Sequence, residues 1–254
     1  MSSFSIGSAG PFPLGRFDGL AALPGLAHGV STREGPDLRA ATDSPDHALA
    51  ARQLAAALGL TGAAWLRQVH GARVTRARVA GFLGEGDALI SAQPGLALIV
   101  RSADCPLVLA AALDGRGRPT AVGVAHASWR STVAGIAPRM LLALALLAGH
   151  SPGRLRVALA PSAGPCCYEV GPEVREAAVA EHGRAAGAWF PERGGRLIFD
   201  LWRANAEQLA LAGLPPGRLE LAGVCTICED AHFHSWRRDG AAAGRFAAVI
   251  GLRA

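Results

Sequence analysis

The segment LALIVRSADCPLVLAAALDGRGRPTAVGVAH, residues 96–126, sets three apolar runs close together in the chain. The runs cover Leu96–Val100, Leu107–Ala112 and Ala121–Ala125, and each has the length of a β-strand. The segments between them contain Pro, Gly and Asp, which are typical of turns. This part of the chain therefore predicts short buried strands.

The same kind of pattern predicts further strands and helices on both sides of residues 96–126. Further strands are predicted at Ala27–Thr32, Ala63–Leu66, Ala88–Ile90, Leu155–Ala160, Leu219–Ala222 and Phe246–Leu252. Helices are predicted at Asp46–Leu58, with Ser44 or Asp46 as its cap, and at Thr132–Leu147, Gly171–His182 and Asp200–Ala212. The rest of the first 45 residues is rich in Gly, Pro and Ser, so we expect the N-terminal part of the chain to form loops. The pattern predicts an α+β (mixed α/β) fold, with residues 1–254 forming one domain of mixed β-sheets flanked by helices.

Composition narrows the chemistry. The 254 residues carry a formal net charge of +5, and every basic side chain is an arginine. The absence of lysine excludes a Schiff base, a pyridoxal-phosphate anchor and a phosphate-loop lysine. The arginines are scattered and lack interleaved aromatics, which argues against a nucleic-acid partner. We also expect no membrane partner and a cytoplasmic location, because no secretory signal or bilayer-spanning stretch is evident and five cysteines suit free or metal-bound thiols.

Three short motifs fall at predicted strand ends: Gln-Val-His-Gly at 68–71, Ala-Asp-Cys-Pro at 103–106 and Ala-His-Ala-Ser-Trp-Arg at 125–130. Two imidazoles and a thiolate suit zinc, and three protein ligands leave a fourth position for water or substrate. The separations match no local zinc-finger spacing, so His70, Cys105 and His126 would have to converge through the fold. By residue type alone, a lone His or Cys that simply packs is the commoner case.

These motifs resemble those of the YfiH/YlmD family, whose members have been labelled multicopper polyphenol oxidases or laccase-domain proteins. The similarity continues, in the same order, through the segments at 164–171, 200–205, 225–226, 235–240 and 244–245. The resemblance implies a layered α/β/β/α fold and a zinc site formed by His70, Cys105 and His126, with copper as the alternative ion. Two family glycines in the third motif are replaced by Ser128 and Ser131, which we expect to narrow the substrate pocket.

Several other side chains are candidates for the site. Arg130, Arg33 and Arg101 are predicted to clamp a phosphate, with surface ion pairs as the alternative. Asp87, and similarly Asp104, is predicted to orient a metal-bound histidine or relay a proton, unless it only caps a turn.

Three further residues, Gln68, Ser128 and His234, are predicted to contact substrate. Two cysteine pairs invite other readings. Cys166-Cys167 is interpreted as packing, and Cys225-x-x-Cys228 as half of a zinc ribbon without a second CxxC, with a structural role for Cys225.

The resemblance implies a purine nucleoside enzyme that phosphorolyses adenosine, inosine or 5′-methylthioadenosine to the free base and a ribose 1-phosphate, with some adenosine deamination. Its small-molecule partners would be a purine nucleoside and phosphate, bound by a monomer or weak homodimer. Two alternatives are a metal-dependent hydrolase that edits peptidoglycan precursors and a zinc-stabilised binding module without turnover.

Overall fold

The computed structural model describes residues 4–7 and 10–254. Its strands are, in chain order, β1 (Phe4–Gly7), β2 (Leu14–Phe17), β3 (Leu26–Ser31), β4 (Gly62–Arg67), β5 (Val74–Arg76), β6 (Gly81–Glu85), β7 (Ala88–Ser91), β8 (Leu96–Ser102), β9 (Leu107–Leu113), β10 (Pro119–His126), β11 (Leu155–Leu159), β12 (Glu192–Arg193), β13 (Arg196–Leu197), β14 (Leu219–Leu221) and β15 (Phe246–Leu252). The helices are α1 (Asp18–Ala21), α2 (Pro45–Ala57), α3 (Trp129–Val133), α4 (Ile136–Ala148), α5 (Pro172–His182), α6 (Leu201–Leu211) and α7 (Trp236–Asp239). Within the described ranges, no helix combines the length and the apolar character needed to cross a bilayer.

Two mixed sheets form the centre of the molecule. The larger sheet has the order β1-β2-β3-β15-β8-β4-β6, and the smaller has the order β14-β11-β9-β10-β7-β5. One apolar cluster lies between the sheets, a second packs α2 on the larger sheet, and a third packs α4 and α6 on the smaller sheet. The layers therefore run α/β/β/α, which confirms the predicted fold class.

The central strands are apolar on both faces because both faces are covered. In β8, Leu98 and Val100 join the cluster between the sheets, whereas Ile99 joins the cluster under α2. In β9, Leu109 faces the larger sheet and Ala110 faces α4. This alternation follows from the two-residue period of a strand, and it explains why the sequence shows apolar runs without polar gaps.

A close approach of α4 to β10 needs a residue without a side chain. A Cβ added at Gly123 would lie 2.7 Å from the Met140 sulfur and 3.3 Å from a Leu144 methyl group. Both Met140 and Leu144 are fully buried, so a larger residue at position 123 would push the helix off the sheet. The glycine lets α4 cover the centre of the smaller sheet.

Two expectations about local structure are wrong, and several short strands are not predicted at all. The N-terminal loop contains β1, β2 and α1, because β1 and β2 pair antiparallel and bury Phe4 and Phe17; residues 1–3 and 8–9 of that loop lie outside the described residues. The helix expected over Thr132–Leu147 is divided into α3 and α4, since Gly135 has φ +74°, a left-handed value that interrupts a helix. The edge strands β5 and β6 are missed because they are short and only partly buried.

A buried histidine in β3 makes stability dependent on pH. The His28 ring accepts a hydrogen bond from the Phe17 N–H at 3.0 Å, and burial together with the Arg16 charge lowers the pKa of His28 from 6.5 to about 4. Between pH 6.5 and 4 the unfolded chain therefore binds a proton that the folded chain excludes, and stability falls as the pH falls. This one group is expected to remove roughly 3 kcal/mol of unfolding free energy across that window.

The measurement is denaturant unfolding at pH 7.5 and pH 4.5 for the wild type and for His28→Gln, which keeps an acceptor and does not titrate. The variant should lose less stability on acidification than the wild type. His47, whose pKa is also lowered to about 4 by burial and by Arg101, contributes to the acid sensitivity that remains. Equal losses in the two proteins would contradict the prediction.

Candidate functional site

Strand register brings the three predicted motifs to one end of the two sheets. Strands β4 and β8 are parallel, so the turn at 68–71 and the loop at 103–106 leave the larger sheet side by side. In the smaller sheet His126 pairs with Leu107, which places the end of β10 beside the Cys105 loop. Residues that are 35 and 21 positions apart in sequence therefore meet without any local metal-binding spacing.

His70, Cys105 and His126 line one cavity of about 390 Å³. The rings of His70 and His126 stand edge to face, with their centroids 5.0 Å apart. His126 is buried, whereas Cys105 is half-buried and His70 lies at the exposed side of the cavity. The three side chains thus share one solvent-connected space.

Asp87 organises two of these three residues. It is fully buried at the start of β7, and the pairing of Ala88 with Ala125 sets it beside His126. Its carboxylate accepts hydrogen bonds from the His126 Nδ1 at 2.9 Å and from the backbone N–H groups of Val69, His70 and Gly71 at 3.2, 3.1 and 2.8 Å. These bonds hold His70 in a left-handed conformation, with φ +59°, and leave the His126 Nε2 for the cavity.

The pKa values of His126, Asp87 and His70 follow from their burial and their contacts. Burial lowers the pKa of His126, but the Cys105 charge and the bond to Asp87 outweigh burial and raise the pKa to about 9. Burial raises the pKa of Asp87, yet the bonds from His126, Gly71 and Val69 leave that pKa below its ordinary value. The pKa of His70 is lowered, first by burial and then by the His126 charge. The site thus favours an ionised Asp87, whose carboxylate orients the His126 ring.

Asp104 fixes the loop that carries Cys105. It has φ +94°, which is uncommon for a residue other than glycine. One carboxylate oxygen accepts the Thr226 hydroxyl at 2.7 Å, and the other accepts the Arg237 backbone N–H at 2.7 Å. Asp104 therefore ties the Cys105 loop to two C-terminal segments.

Two predicted substrate residues line the cavity but are partly engaged elsewhere. The Gln68 amide donates to the Arg101 carbonyl at 2.8 Å and accepts the Arg101 N–H at 2.9 Å, which extends the pairing of β4 and β8. One nitrogen of the Arg101 guanidinium donates to the carbonyls of Leu38 and Ala40. Arg101 contributes a positive charge to the cavity, whereas the Gln68 amide is used to link the ends of β4 and β8.

Four other predicted site residues do not line this cavity. Ser128 is buried as the N-cap of α3, where its hydroxyl accepts the Ser131 N–H at 3.2 Å, so neither serine narrows the pocket. Arg130 stacks over Trp129 at 4.2 Å on the outer surface. Arg33 is exposed and donates to the Asp230 carbonyl, and His234 lies against Gly244.

Besides Ser102 and Ala103, four lining residues are absent from the sequence-based site: Tyr168, Trp236, Arg237 and Arg245. The Arg237 guanidinium lies over the Tyr168 ring at 4.7 Å, and the Arg245 guanidinium lies over the Trp236 ring at 5.3 Å. Their signal was present, because all four fall within the segments at 164–171, 235–240 and 244–245 that carry the family resemblance.

A second group of potential ligands lies outside the cavity. The sulfurs of Cys166, Cys167, Cys225 and Cys228 all lie within 4.8 Å of one another. Among the described residues, no other group of three or more His, Cys, Asp or Glu side chains has its ligand atoms this close together. The ligand atoms of His70, Cys105 and His126 are therefore spread more widely. The two cysteine pairs, interpreted separately from sequence, therefore form one cluster.

Comparisons with known proteins agree with this architecture. A family model described as multi-copper polyphenol oxidoreductase laccase matches residues 28–253. A purine nucleoside phosphorylase of Deinococcus radiodurans is 42% identical over 205 residues, which cover 79% of this chain and 75% of that protein. The purine nucleoside phosphorylase YfiH of Escherichia coli is 33% identical over 213 residues, or 83% of each chain.

The crystal structure of YlmD from Geobacillus stearothermophilus matches the whole of both chains with a TM-score of 0.85 at 28% identity. In sequence, a purine nucleoside phosphorylase YlmD of that organism is 31% identical over 261 residues, which cover 92% of this chain and 93% of that protein. The chain belongs to the YfiH/YlmD family, the family whose model is described as multi-copper polyphenol oxidoreductase laccase.

Proposed function

We propose that this protein is a zinc-dependent purine nucleoside phosphorylase, which converts adenosine, inosine or 5′-methylthioadenosine to the free base and the corresponding ribose 1-phosphate. The names of its relatives support this class of enzyme. The observation that carries the proposal is the composition of the cavity, which combines His70, Cys105 and His126 with three arginines and two aromatic rings.

The arginines suit a phosphate nucleophile. Arg101, Arg237 and Arg245 all line the cavity, and guanidinium groups bind phosphate oxygens through paired hydrogen bonds. In phosphorolysis a phosphate oxygen forms a bond to the ribose C1′ while the bond from C1′ to the base nitrogen breaks. The electron pair of that broken bond goes to the base, which takes up a proton. The arginines would hold the dianion in place for this displacement.

The two aromatic rings that line the cavity, Trp236 and Tyr168, suit a purine base. Trp236 is 49% exposed, and Tyr168, which also lines the cavity, lies beneath the Arg237 guanidinium. A flat, solvent-accessible ring at a cavity mouth provides a stacking surface for a base. The Ser102 hydroxyl is buried, lines the same cavity and has no hydrogen-bond partner among the described residues. It is therefore available to a ribose hydroxyl or a phosphate oxygen.

The donor set fits zinc. Two imidazoles and a thiol face one cavity, and His126 has the carboxylate partner that metal-binding histidines usually have. When bound, the ion would polarise substrate oxygen or nitrogen atoms as a Lewis acid. Copper, which the family description suggests, shares this preference for imidazole and thiolate.

Deamination, the second reaction implied by the resemblance, needs a carboxylate that exchanges protons with substrate. Among the described lining residues, Asp104 is the carboxylate, and both of its oxygens already accept hydrogen bonds. Asp87 is fully buried behind His126. The cavity therefore favours phosphorolysis as the main reaction.

Chromatography of adenosine and inosine reactions, with and without phosphate, tests the proposal. Release of free base that requires phosphate supports phosphorolysis, whereas equal release without phosphate indicates hydrolysis. Turnover of a muramyl-peptide precursor alone would support the peptidoglycan-editing alternative, and no turnover of either substrate would support the binding module.

Arg245→Gln should raise the KM for phosphate more than it lowers kcat, because it removes one of the three guanidinium groups that line the cavity. The loss of one charged hydrogen-bonding partner, at about 1.5–3 kcal/mol, corresponds to roughly 10-fold to 100-fold in affinity. Arg116→Gln, in the exposed turn between β9 and β10, is the matched control and should leave both constants unchanged. A KM for phosphate that is equal in the two variants would remove Arg245 from the phosphate site.

A further inference from the structure

The cysteine cluster forms because two parallel strands end side by side. Strand β11 leads to Cys166 and Cys167, strand β14 leads to Cys225 and Cys228, and the two strands pair in parallel. A bridge between Ser162 and Cys225 continues that pairing beyond the strands. Adjacent cysteines and a CxxC pair, which have no common sequence signature, are thereby brought to one place.

The sulfur separations match those of a tetrahedral metal site. The Cys228 sulfur lies 3.3 Å from that of Cys167 and 3.8 Å from that of Cys166. Zinc–sulfur bonds of about 2.3 Å in tetrahedral geometry place neighbouring sulfurs about 3.8 Å apart. All four sulfurs lie within 4.8 Å of one another, so they can reach a shared ion with only small side-chain movements.

Backbone donors favour a thiolate at Cys225. The Gly164 N–H donates to the Cys225 sulfur at 3.2 Å, and the N–H groups of Ile227 and Cys228 also donate to it. Such a crowded set of thiols needs a cation before all four can ionise.

The surroundings supply positive charge for a site that would carry a net negative charge. Arg193 and Arg196 line the surface depression that contains Cys166 and Cys167, together with Glu169, which pairs with Arg196 at 3.7 Å. Arg238 donates to the Thr226 carbonyl at 2.7 Å, inside the turn between Cys225 and Cys228. Arg196 and Arg238 are already paired with Glu169 and Asp239, so Arg193 is the one of these three cations that can offset the excess charge of four thiolates on a divalent ion.

We propose that Cys166, Cys167, Cys225 and Cys228 form a closed four-thiolate zinc site, separate from the catalytic cavity. Four protein ligands leave no open position, so the ion is structural. The site fastens the segment that carries Tyr168 to the segment that carries Thr226, the partner of Asp104. The zinc thus holds one wall of the cavity in place while taking no part in the reaction.

Zinc content, measured on the purified protein by elemental analysis, tests this proposal independently of the proposed function, because the two sites share no residue. The Cys166→Ser/Cys228→Ser double variant should lose about one equivalent of zinc per chain relative to its parent. This loss should be the same in the wild-type and the Cys105→Ala background. Unchanged zinc content in the double variant, or a Cys167–Cys228 disulfide in the native protein, would overturn the proposal.

Cobalt substitution tests the same site without removing its ligands. Cys105→Ala protein, stripped of metal under reducing conditions and loaded with Co²⁺, should show the intense sulfur-to-cobalt charge-transfer and tetrahedral d–d bands of a four-thiolate site. Stoichiometric zinc should abolish both bands. If cobalt loading yields only weak octahedral bands, the site is excluded. This outcome does not depend on whether the Cys166→Ser/Cys228→Ser variant folds.

Discussion

Cys105→Ala is expected to abolish phosphate-dependent release of free base from adenosine and inosine. The thiol is one of three donors that face the cavity, and alanine offers no ligand in its place. Even the loss of a residue that only orients a ligand costs about 10-fold to 100-fold in metal affinity or activity, so the loss of a ligand should cost at least about 100-fold. Chromatography of the reactions measures the rate, and elemental analysis measures the metal retained.

Thr120→Ala is the control for this experiment. It truncates a side chain on β10, the strand that carries His126, but at the far end of that strand. This variant should keep both its metal content and its activity. If Cys105→Ala releases base at the wild-type rate, the cavity ion takes no part in the reaction and the proposed function is wrong.

Much of the fold follows from local patterns. The apolar runs in β8, β9, β10 and β15 are covered on both faces, so they predict buried strands. Helix α2 has its signal in Ser44, whose hydroxyl accepts the His47 N–H. Short strands beside segments rich in Gly and Pro are missed, such as β1, which pairs with the nearby β2 across such a segment.

The site was only partly predictable, for physical reasons. Histidine and cysteine are recognisable by type, so His70, Cys105 and His126 were selected, and all three line the cavity. Arginines give no comparable signal, because residue type does not distinguish an arginine in a cavity from one on the surface. Arg130 does not line the cavity and stacks on Trp129, although its charge lowers the pKa of His70. The cysteine cluster was missed because its two halves meet only through the pairing of β11 with β14.

Asp87→Ala is expected to destabilise the protein and to impair the site together. The change removes the acceptor for four hydrogen bonds, three of them from the turn that carries His70 and one from His126. Breaking a buried charge pair by removing one partner costs about 3–5 kcal/mol. We therefore expect a loss of that size in unfolding free energy at pH 7, measured by denaturant titration, and a fall in activity of about 10-fold to 100-fold.

Two further variants separate the charge of Asp87 from its hydrogen bonds. Asp87→Asn keeps one acceptor but directs an NH₂ group at backbone donors, so it should recover only part of the stability. Asp114→Asn is the matched control, since Asp114 also accepts two backbone N–H groups, from Arg116 and Arg118, but in an exposed turn away from the cavity. It should cost less stability and leave activity unchanged.

The pH dependence of the Asp87 variants provides a second, independent test of the contribution that the Asp87 charge makes to stability. The pKa of Asp87 is lowered in the folded protein, so its contribution to stability is present above pH 3.8 and is lost as the pH falls below that value. The stability difference between the wild type and Asp87→Asn should therefore be large at neutral pH and shrink towards pH 3. A difference that stays constant down to that pH would mean that the carboxylate charge contributes nothing to stability.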